Sequence, residues 1–244
     1  MTRIHLPVTL REGDEHDLPE AAHRHLVQVL RLHAGDALTV FDGQGCEAPA
    51  ALITAEKRHS RIRVGAVQRP VRESPLAVTL LQGVSKGERM DYTLQKAVEL
   101  GVTAIQPLTT QRSMVKLDAD RWAKKYAHWQ GVIVSACEQS GRVVIPSLHP
   151  PASLDAALNA LPDEVLRLAL LPEHGRALRD LPPPESGVAL LVGPEGGLDP
   201  TEIRLALDAG FTAVQLGPRV LRTETAGVAT LAALQALWGD WGAG

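Results

Sequence analysis

The sequence predicts an α/β protein in which a small β-rich domain (residues 1–70) precedes a larger domain (71–244) built on a mostly parallel sheet. Three observations carry this prediction. Up to residue 70, short apolar and β-branched runs alternate with turn signals. From Leu76 onward, strand-like runs alternate with longer helical periods, the pattern of a parallel sheet covered on both faces. Between the two, Arg69-Pro-Val-Arg-Glu-Ser-Pro75 holds two prolines and no periodicity, as a linker does.

In the first domain, strands are expected at 3–6, 37–41, 47–53 and 61–67, with one helix at 19–32. Ala34-Gly-Asp36 and Asp42-Gly-Gln-Gly45 supply turns, and the whole favours a barrel or sandwich. In the second domain, strands at 76–82, 104–108, 143–145, 166–171, 213–216 and a run ending at Val192 alternate with helices at 86–100, 118–137, 153–160, 200–209 and 225–238. The helix at 200 has a full start signal in Asp199-Pro-Thr-Glu202: an N-cap, a proline at the first helical position and a capping-box glutamate. The last helix carries Leu231, Leu234, Trp238 and Trp241 on one stripe, with Val228 and Leu237 beside it. An apolar surface wider than one core stripe points to a subunit interface.

With 244 residues and 45% hydrophobic content, the chain can bury a full core. Its formal charge of −3 excludes holding nucleic acid by bulk charge alone, while leaving room for a local basic face. Cys46 and Cys137 form no Cys-x-x-Cys pair, so neither a disulfide framework nor a zinc site is expected, and a reducing cytoplasm is. His23 and His25 lack a third ligand and read as helix surface; no metal is expected. The start, Met-Thr-Arg-Ile-His-Leu-Pro, has no apolar signal core, and no uncharged run reaches membrane-spanning length, so an unexported protein without membrane contact is expected.

Chemistry concentrates in two strand-to-helix turns, Gly193-Pro-Glu-Gly-Gly197 and Leu216-Gly-Pro-Arg-Val-Leu-Arg-Thr-Glu-Thr-Ala226. Ligands of open α/β sheets bind outside the carboxyl ends of the strands, where such turns gather. The first turn is neither a Walker loop, which needs Lys-Ser/Thr after its last glycine, nor a dinucleotide fingerprint. In the second, Arg219, Arg222 and Glu224 sit where a loop gives way to an apolar helix, so their charges need partners. Glu138, Gln139 and Arg142 stand similarly at the end of another helix. A rival reading starts from Gly83-Val-Ser-Lys-Gly87, which matches a hydrolase nucleophile elbow with Ser85 as nucleophile and Asp155 and His174 filling the triad order. No His-Gly-Gly-Gly oxyanion segment accompanies it, and a turn before a basic helix is the preferred reading.

Together with Ala136-Cys-Glu-Gln-Ser-Gly141 and Lys96-Ala-Val-Glu-Leu-Gly101, the two turns make the chain resemble the ribosomal RNA small subunit methyltransferase E family, of the SPOUT superfamily of knotted RNA methyltransferases. His25-Leu-Val-Gln-Val-Leu-Arg31, Gly35-Asp36 and Phe41-Asp-Gly43 resemble that family's PUA-like RNA-binding module, so the similarity spans nearly the whole chain. Two small departures are Leu198, where the family often has Phe, and Gly227, which interrupts a usually Ala-rich helix start.

The resemblance implies a SPOUT-type α/β trefoil-knot domain after a PUA-like domain, with S-adenosyl-L-methionine as cofactor. The implied cofactor turns are Leu171, Pro172 and Glu173; Gly193, Pro194, Glu195, Gly196 and Gly197; and Leu216, Gly217, Leu221, Arg222, Thr223, Thr225 and Ala226. It further implies methylation of N3 of a uridine in 16S rRNA, within the 30S subunit, by a cytoplasmic homodimer. Uridine N3 carries a proton, so a base must remove it and a cation must stabilise charge spread over O2 and O4. Arg222 suits the cation, and Glu138 or Glu224 the base. N3 lies on the pairing edge, so the base must be unpaired or flipped out. Expected RNA contacts are Arg3, Arg24, Arg31, Lys86, Arg89, Lys96, Arg112, Lys116 and Arg142. The non-enzymatic alternative is an assembly factor that kept the fold and lost catalysis.

Overall fold

A computed structural model of the chain describes residues 2–113, 115, 117–171 and 175–241. The chain divides into two compact units, one comprising the residues up to Glu73 together with Cys137–Ile145, the other Ser74–Ala136 and the chain from Pro146 onward.

The first unit is a five-stranded sheet of β1 (Arg3–His5), β2 (Glu15–Asp17), β3 (Ala37–Phe41), β4 (Glu47–Ala55) and β5 (Ser60–Val64), in the order β1-β3-β4-β5-β2. Only the β1 and β3 pair is parallel. Alternate residues Ala48, Ala50 and Leu52 of β4, and Ile62 and Val64 of β5, point to one core with Ile4, Leu26, Leu38 and Val40. Each buried leucine there contributes about 2 kcal/mol of hydrophobic stabilisation. The expected helix over 19–32 is two pieces: an α-turn, α1 (Glu20–His23), and then a π-helix over Arg24–Val29. The wider π-turn lets the Leu30 N–H reach the His25 carbonyl and ends at Arg31, whose φ of 57° lies in the left-handed region. Strand β2 was not expected, because Glu-His-Asp has no apolar alternation; as an edge strand it buries little.

The second unit is an eight-stranded sheet in which every pairing is parallel. Its elements are β6 (Val78–Gly83), α2 (Glu88–Glu99), β7 (Ala104–Thr109), α3 (Ala119–Ser140, whose last residues count in the first unit), β8 (Ser147–Leu148), β9 (Ala152–Ser153), α4 (Leu154–Asn159), β10 (Leu166–Leu170), β11 (Arg176–Ala177), β12 (Val188–Val192), α5 (Pro200–Asp208), β13 (Thr212–Gln215) and α6 (Thr223–Trp238). The order is β11-β13-β10-β12-β6-β7-β8, with β9 also on β7. Central β12 is buried at every residue, as a strand covered on both faces must be, which explains its unbroken apolar run. The strand expected at 143–145 is reduced to one bridge between Val144 and Gln44; regular pairing begins only at Ser147.

Strand β13 inserts between β10 and β11, and α6 then touches residues 178–180 as well as β12 and α2. Residues 178–180 belong to the connection from β10 to β12, so the last helix packs against both that connection and β12. Leu231 and Leu234 are fully buried on α6, while Leu237 is 44% exposed and Trp241, beyond the helix end, 58%. Among the described residues, no helix is long and apolar enough to cross a membrane.

Candidate functional site

Because all strands of the second unit run parallel, their carboxyl ends share one edge: Gln82 is level with Val192, Val192 with Leu170, and Leu170 with Val214. The loops that follow β6, β7, β12 and β13 therefore converge there. The turn after β12 closes with the Gly197 N–H on the Pro194 carbonyl at 2.8 Å. It exits into α5 through the expected capping box: the Asp199 carboxylate accepts from Thr201 N–H at 2.9 Å, and Glu202 accepts from Asp199 N–H at 2.8 Å. Glu202 also accepts from Gln111 N–H at 2.9 Å, tying in the loop after β7.

Contacts with the loop after β6 are closer. A Cβ added at Gly83 would overlap the Pro194 nitrogen and lie 2.6 Å from its Cδ, so glycine is required there. Glu195 accepts from the Lys86 N–H at 2.9 Å and from Arg89 Nη1 at 3.0 Å. Burial pushes its carboxyl up, but these donors and its own N–H outweigh that and hold it below the ordinary carboxylate range. Arg89 also stands 3.8 Å from Glu224, so one guanidinium links a carboxylate from each turn.

The second turn runs exposed from Gly217 to Val220 and becomes α6 at Thr223. Arg222 is the N-cap residue; its carbonyl accepts the Ala226 N–H at 2.8 Å, and its exposed guanidinium makes no ion pair among the described residues. Thr223 is buried and donates its hydroxyl to the Gly193 carbonyl at 2.6 Å, joining the two turns directly. Leu216 and Leu221 are half-buried, Thr225 is exposed and Ala226 half-buried. Leu171 donates its N–H to Val214 at 3.2 Å beside this edge, while Pro172 and Glu173 lie outside the described residues.

This edge fits S-adenosylmethionine chemically. At Gly197 and Gly217 the backbone is left-handed (φ 70° and 73°) and an added Cβ would meet nothing within 4 Å, so bare backbone faces open space in both turns. Backbone groups beside two half-buried leucines suit an adenine, which has hydrogen-bonding edges and apolar faces.

The remaining candidates divide. Glu138 falls in the first unit, where it accepts the His5 N–H at 3.0 Å. Arg3 and Arg142 serve that unit too. Arg3 binds the Cys137 and Arg142 carbonyls at 3.0 and 3.1 Å and pairs with Glu47 at 2.9 Å. Arg142, 6% exposed, pairs with Glu73 at 2.6 Å. The stretch expected as a linker joins the same clamp: Arg72 pairs with Glu47, and Glu73 also accepts the Val143 and Val144 N–H groups. Exposed Arg24 pairs with Glu20, and Lys96 with Glu99. Arg31 and Lys86 are exposed; Arg112 reaches the Gly196 carbonyl at 3.3 Å; Lys116 lies outside the described residues. The elbow reading loses its geometry: Ser85 is fully buried, its hydroxyl has no partner among the described residues, and Asp155 is exposed on α4; His174 is not described. Sequence reasoning gave Gln82 no part in the site and took Gly83 only as the start of the elbow motif. The signal was a lone amide and a glycine ending the otherwise apolar run Val-Thr-Leu-Leu.

Comparison with known proteins identifies the family of the chain. Residues 72–235 match an RNA methyltransferase domain and residues 18–65 an RNA methyltransferase PUA domain. The chain is 31% identical over 238 residues to the ribosomal RNA small subunit methyltransferase E of Buchnera aphidicola from Schizaphis graminum, covering 98% of this chain and 97% of that one. It is 31% identical over 218 residues to the Bacillus subtilis protein of the same name, covering 86% and 85%. The crystal structure of the Neisseria gonorrhoeae ribosomal RNA small subunit methyltransferase E bound to S-adenosyl methionine superposes with a TM-score of 0.93 at 44% identity, covering 99% of both chains. A Legionella pneumophila methyltransferase in complex with the same cofactor gives 0.94 at 43% identity, covering 98% of both.

Proposed function

Since the chain belongs to the ribosomal RNA small subunit methyltransferase E family, we propose that it methylates N3 of a uridine in 16S rRNA with S-adenosylmethionine as donor. The observation that carries this reading is the convergence of Gly193–Gly197 and Leu216–Ala226 at one sheet edge, joined by the Thr223 hydroxyl on the Gly193 carbonyl. When bound, the cofactor supplies an electrophilic methyl group. The residues of this chain supply the rest.

Residues 193–197, 216, 217, 221, 223, 225 and 226, with 171–173, hold the cofactor through backbone groups and apolar contact. Arg222, exposed at the start of α6, neutralises the charge that develops on uridine O2 and O4. Glu224, two residues on and with its side chain 16% exposed, takes the N3 proton. Glu138 is the alternative base, in which case its bond to the His5 N–H breaks or is shared. Exposed Arg31, Lys86 and Arg112, with Arg89, offer phosphate contacts. The active species is a cytoplasmic homodimer acting on the 30S particle. Support for the dimer comes from α6, which is apolar around most of its circumference and leaves Leu237 exposed.

The test is methyl transfer from labelled S-adenosylmethionine to unmodified 30S subunits and to naked 16S rRNA, followed by nucleoside mass spectrometry. The expected product is 3-methyluridine, made on the particle. Another methylated nucleoside would reject the uridine-N3 assignment, and no transfer despite cofactor binding would favour the assembly factor.

A further inference from the structure

Gln82 belongs to neither cofactor turn, yet it touches the bond that joins them. It is fully buried at the carboxyl end of β6. Its Nε2 donates to the Gly83 carbonyl at 3.1 Å and to the Thr223 hydroxyl at 3.0 Å. The amide orientation is fixed by chemistry: a carbonyl only accepts, so the atom facing Gly83 O must be the nitrogen. The Thr223 hydroxyl accepts from that nitrogen, which leaves its single proton for the Gly193 carbonyl, 2.6 Å away. The bonds thus run in one direction, from β6 through the start of α6 into the turn after β12.

We propose that Gln82 is a positioning residue for the cofactor site, polarising and aiming the Thr223 hydroxyl so that the Gly193 carbonyl, and with it the 193–197 turn, is set against the start of α6. This rests on the reading of both turns as cofactor-binding. Two further observations agree. Gly83, the next residue, packs against Pro194 of the same turn. Gly227, unfavourable inside a helix, makes room for the amide: a Cβ there would lie 3.1 Å from Gln82 Oε1, an atom with no hydrogen bond among the described residues. The glycine that interrupts the helix start thereby acquires a reason.

The test is the substitution Gln82→Glu, which keeps shape but replaces the donor. An introduced carboxylate can only accept, so the Thr223 hydroxyl turns to it and the Gly193 carbonyl loses its proton donor. S-adenosylmethionine binding, measured by titration calorimetry, is expected to weaken about tenfold at pH 8.5. It should recover toward the wild-type value as pH falls to 5.5, because a neutral carboxyl, its pKa raised by burial, donates again. Wild-type protein, which shares the neighbouring Glu195, Arg89 and Glu224, is the reference at each pH. Thr223→Ser keeps the hydroxyl on which the relay depends and should retain more affinity than Thr223→Val. Thr223→Val should lose as much as Gln82→Glu, and the double variant no more than either. A pH-independent loss, additive effects, or Gln82→Glu binding as tightly as wild type would overturn the proposal. If Gln82→Glu does not fold, the Thr223→Ser and Thr223→Val pair decides: equal affinities would overturn it. Failure of the wild type itself to bind would instead overturn the assignment of the turns.

Discussion

The segment 137–145, the end of α3 and the loop after it, and the turn 193–197 are both pinned by distant residues, and they are pinned by opposite means. Charge holds the segment: Arg3, Arg72 and Arg142 are set against Glu47 and Glu73, and the arginines and Glu73 also occupy the segment's own carbonyls and amides. The turn is held by the Thr223 hydroxyl at Gly193, by glycine packing at Gly83, and by one carboxylate, Glu195. The clamp satisfies the segment's polar groups internally and so builds structure. The turn is fixed at Gly193, at Pro194 and through the Glu195 side chain, yet Glu195 and Gly196 stay exposed, which leaves backbone for a ligand.

The largest effect should come from removing the space on which the turn depends. Gly83→Ala forces Pro194 and its neighbours to move, and overpacking of this kind is expected to weaken S-adenosylmethionine binding on the order of a hundredfold. Calorimetric titration reads it; unchanged affinity would mean that the turn does not hold the cofactor. On the other side, Glu73→Ala deprives the buried Arg142 guanidinium of its carboxylate. Loss of one partner of a mostly buried pair costs about 3 kcal/mol, to be seen in denaturant unfolding, with cofactor affinity unchanged. Equal losses of stability and affinity would erase the contrast between the two segments.

A smaller effect separates them by pH. Glu195 has a lowered pKa in the folded protein, so its contribution is complete above the ordinary value of 4.5 and disappears as pH falls through the lowered one. Partly exposed, it should be worth about 0.5–1 kcal/mol. The difference in thermal midpoint between wild type and Glu195→Gln should therefore be constant near neutrality and vanish only in acid. A difference that already declines above pH 6 would contradict the pairing with Arg89 and the Lys86 N–H.

These contrasts also mark what the sequence makes legible. Strand β3 is readable to the residue, because alternation is a local signal. Both turns proposed to hold the cofactor are readable as places, since apolar runs ending in Gly-Pro announce strand ends. The clamp is not: Arg3 lies 44 residues from Glu47 and 139 from Arg142, so no local pattern signals that these residues meet. The π-turn after α1 escapes because helical periodicity does not distinguish one extra residue per turn. Gln82 escapes because a single amide in a strand carries no pattern; only the packing of Gly83 and Gly227 around it gives it a task. The knot came from family resemblance, since no local rule encodes threading.

The central claim is that the turns after β12 and β13 together hold S-adenosylmethionine. A crystal structure of this protein grown with the cofactor tests it most directly. The expected result is cofactor density against Gly193–Gly197 and Leu216–Ala226, with the Thr223 hydroxyl still on the Gly193 carbonyl. Density elsewhere on the chain, or turns that separate when the cofactor binds, would contradict it.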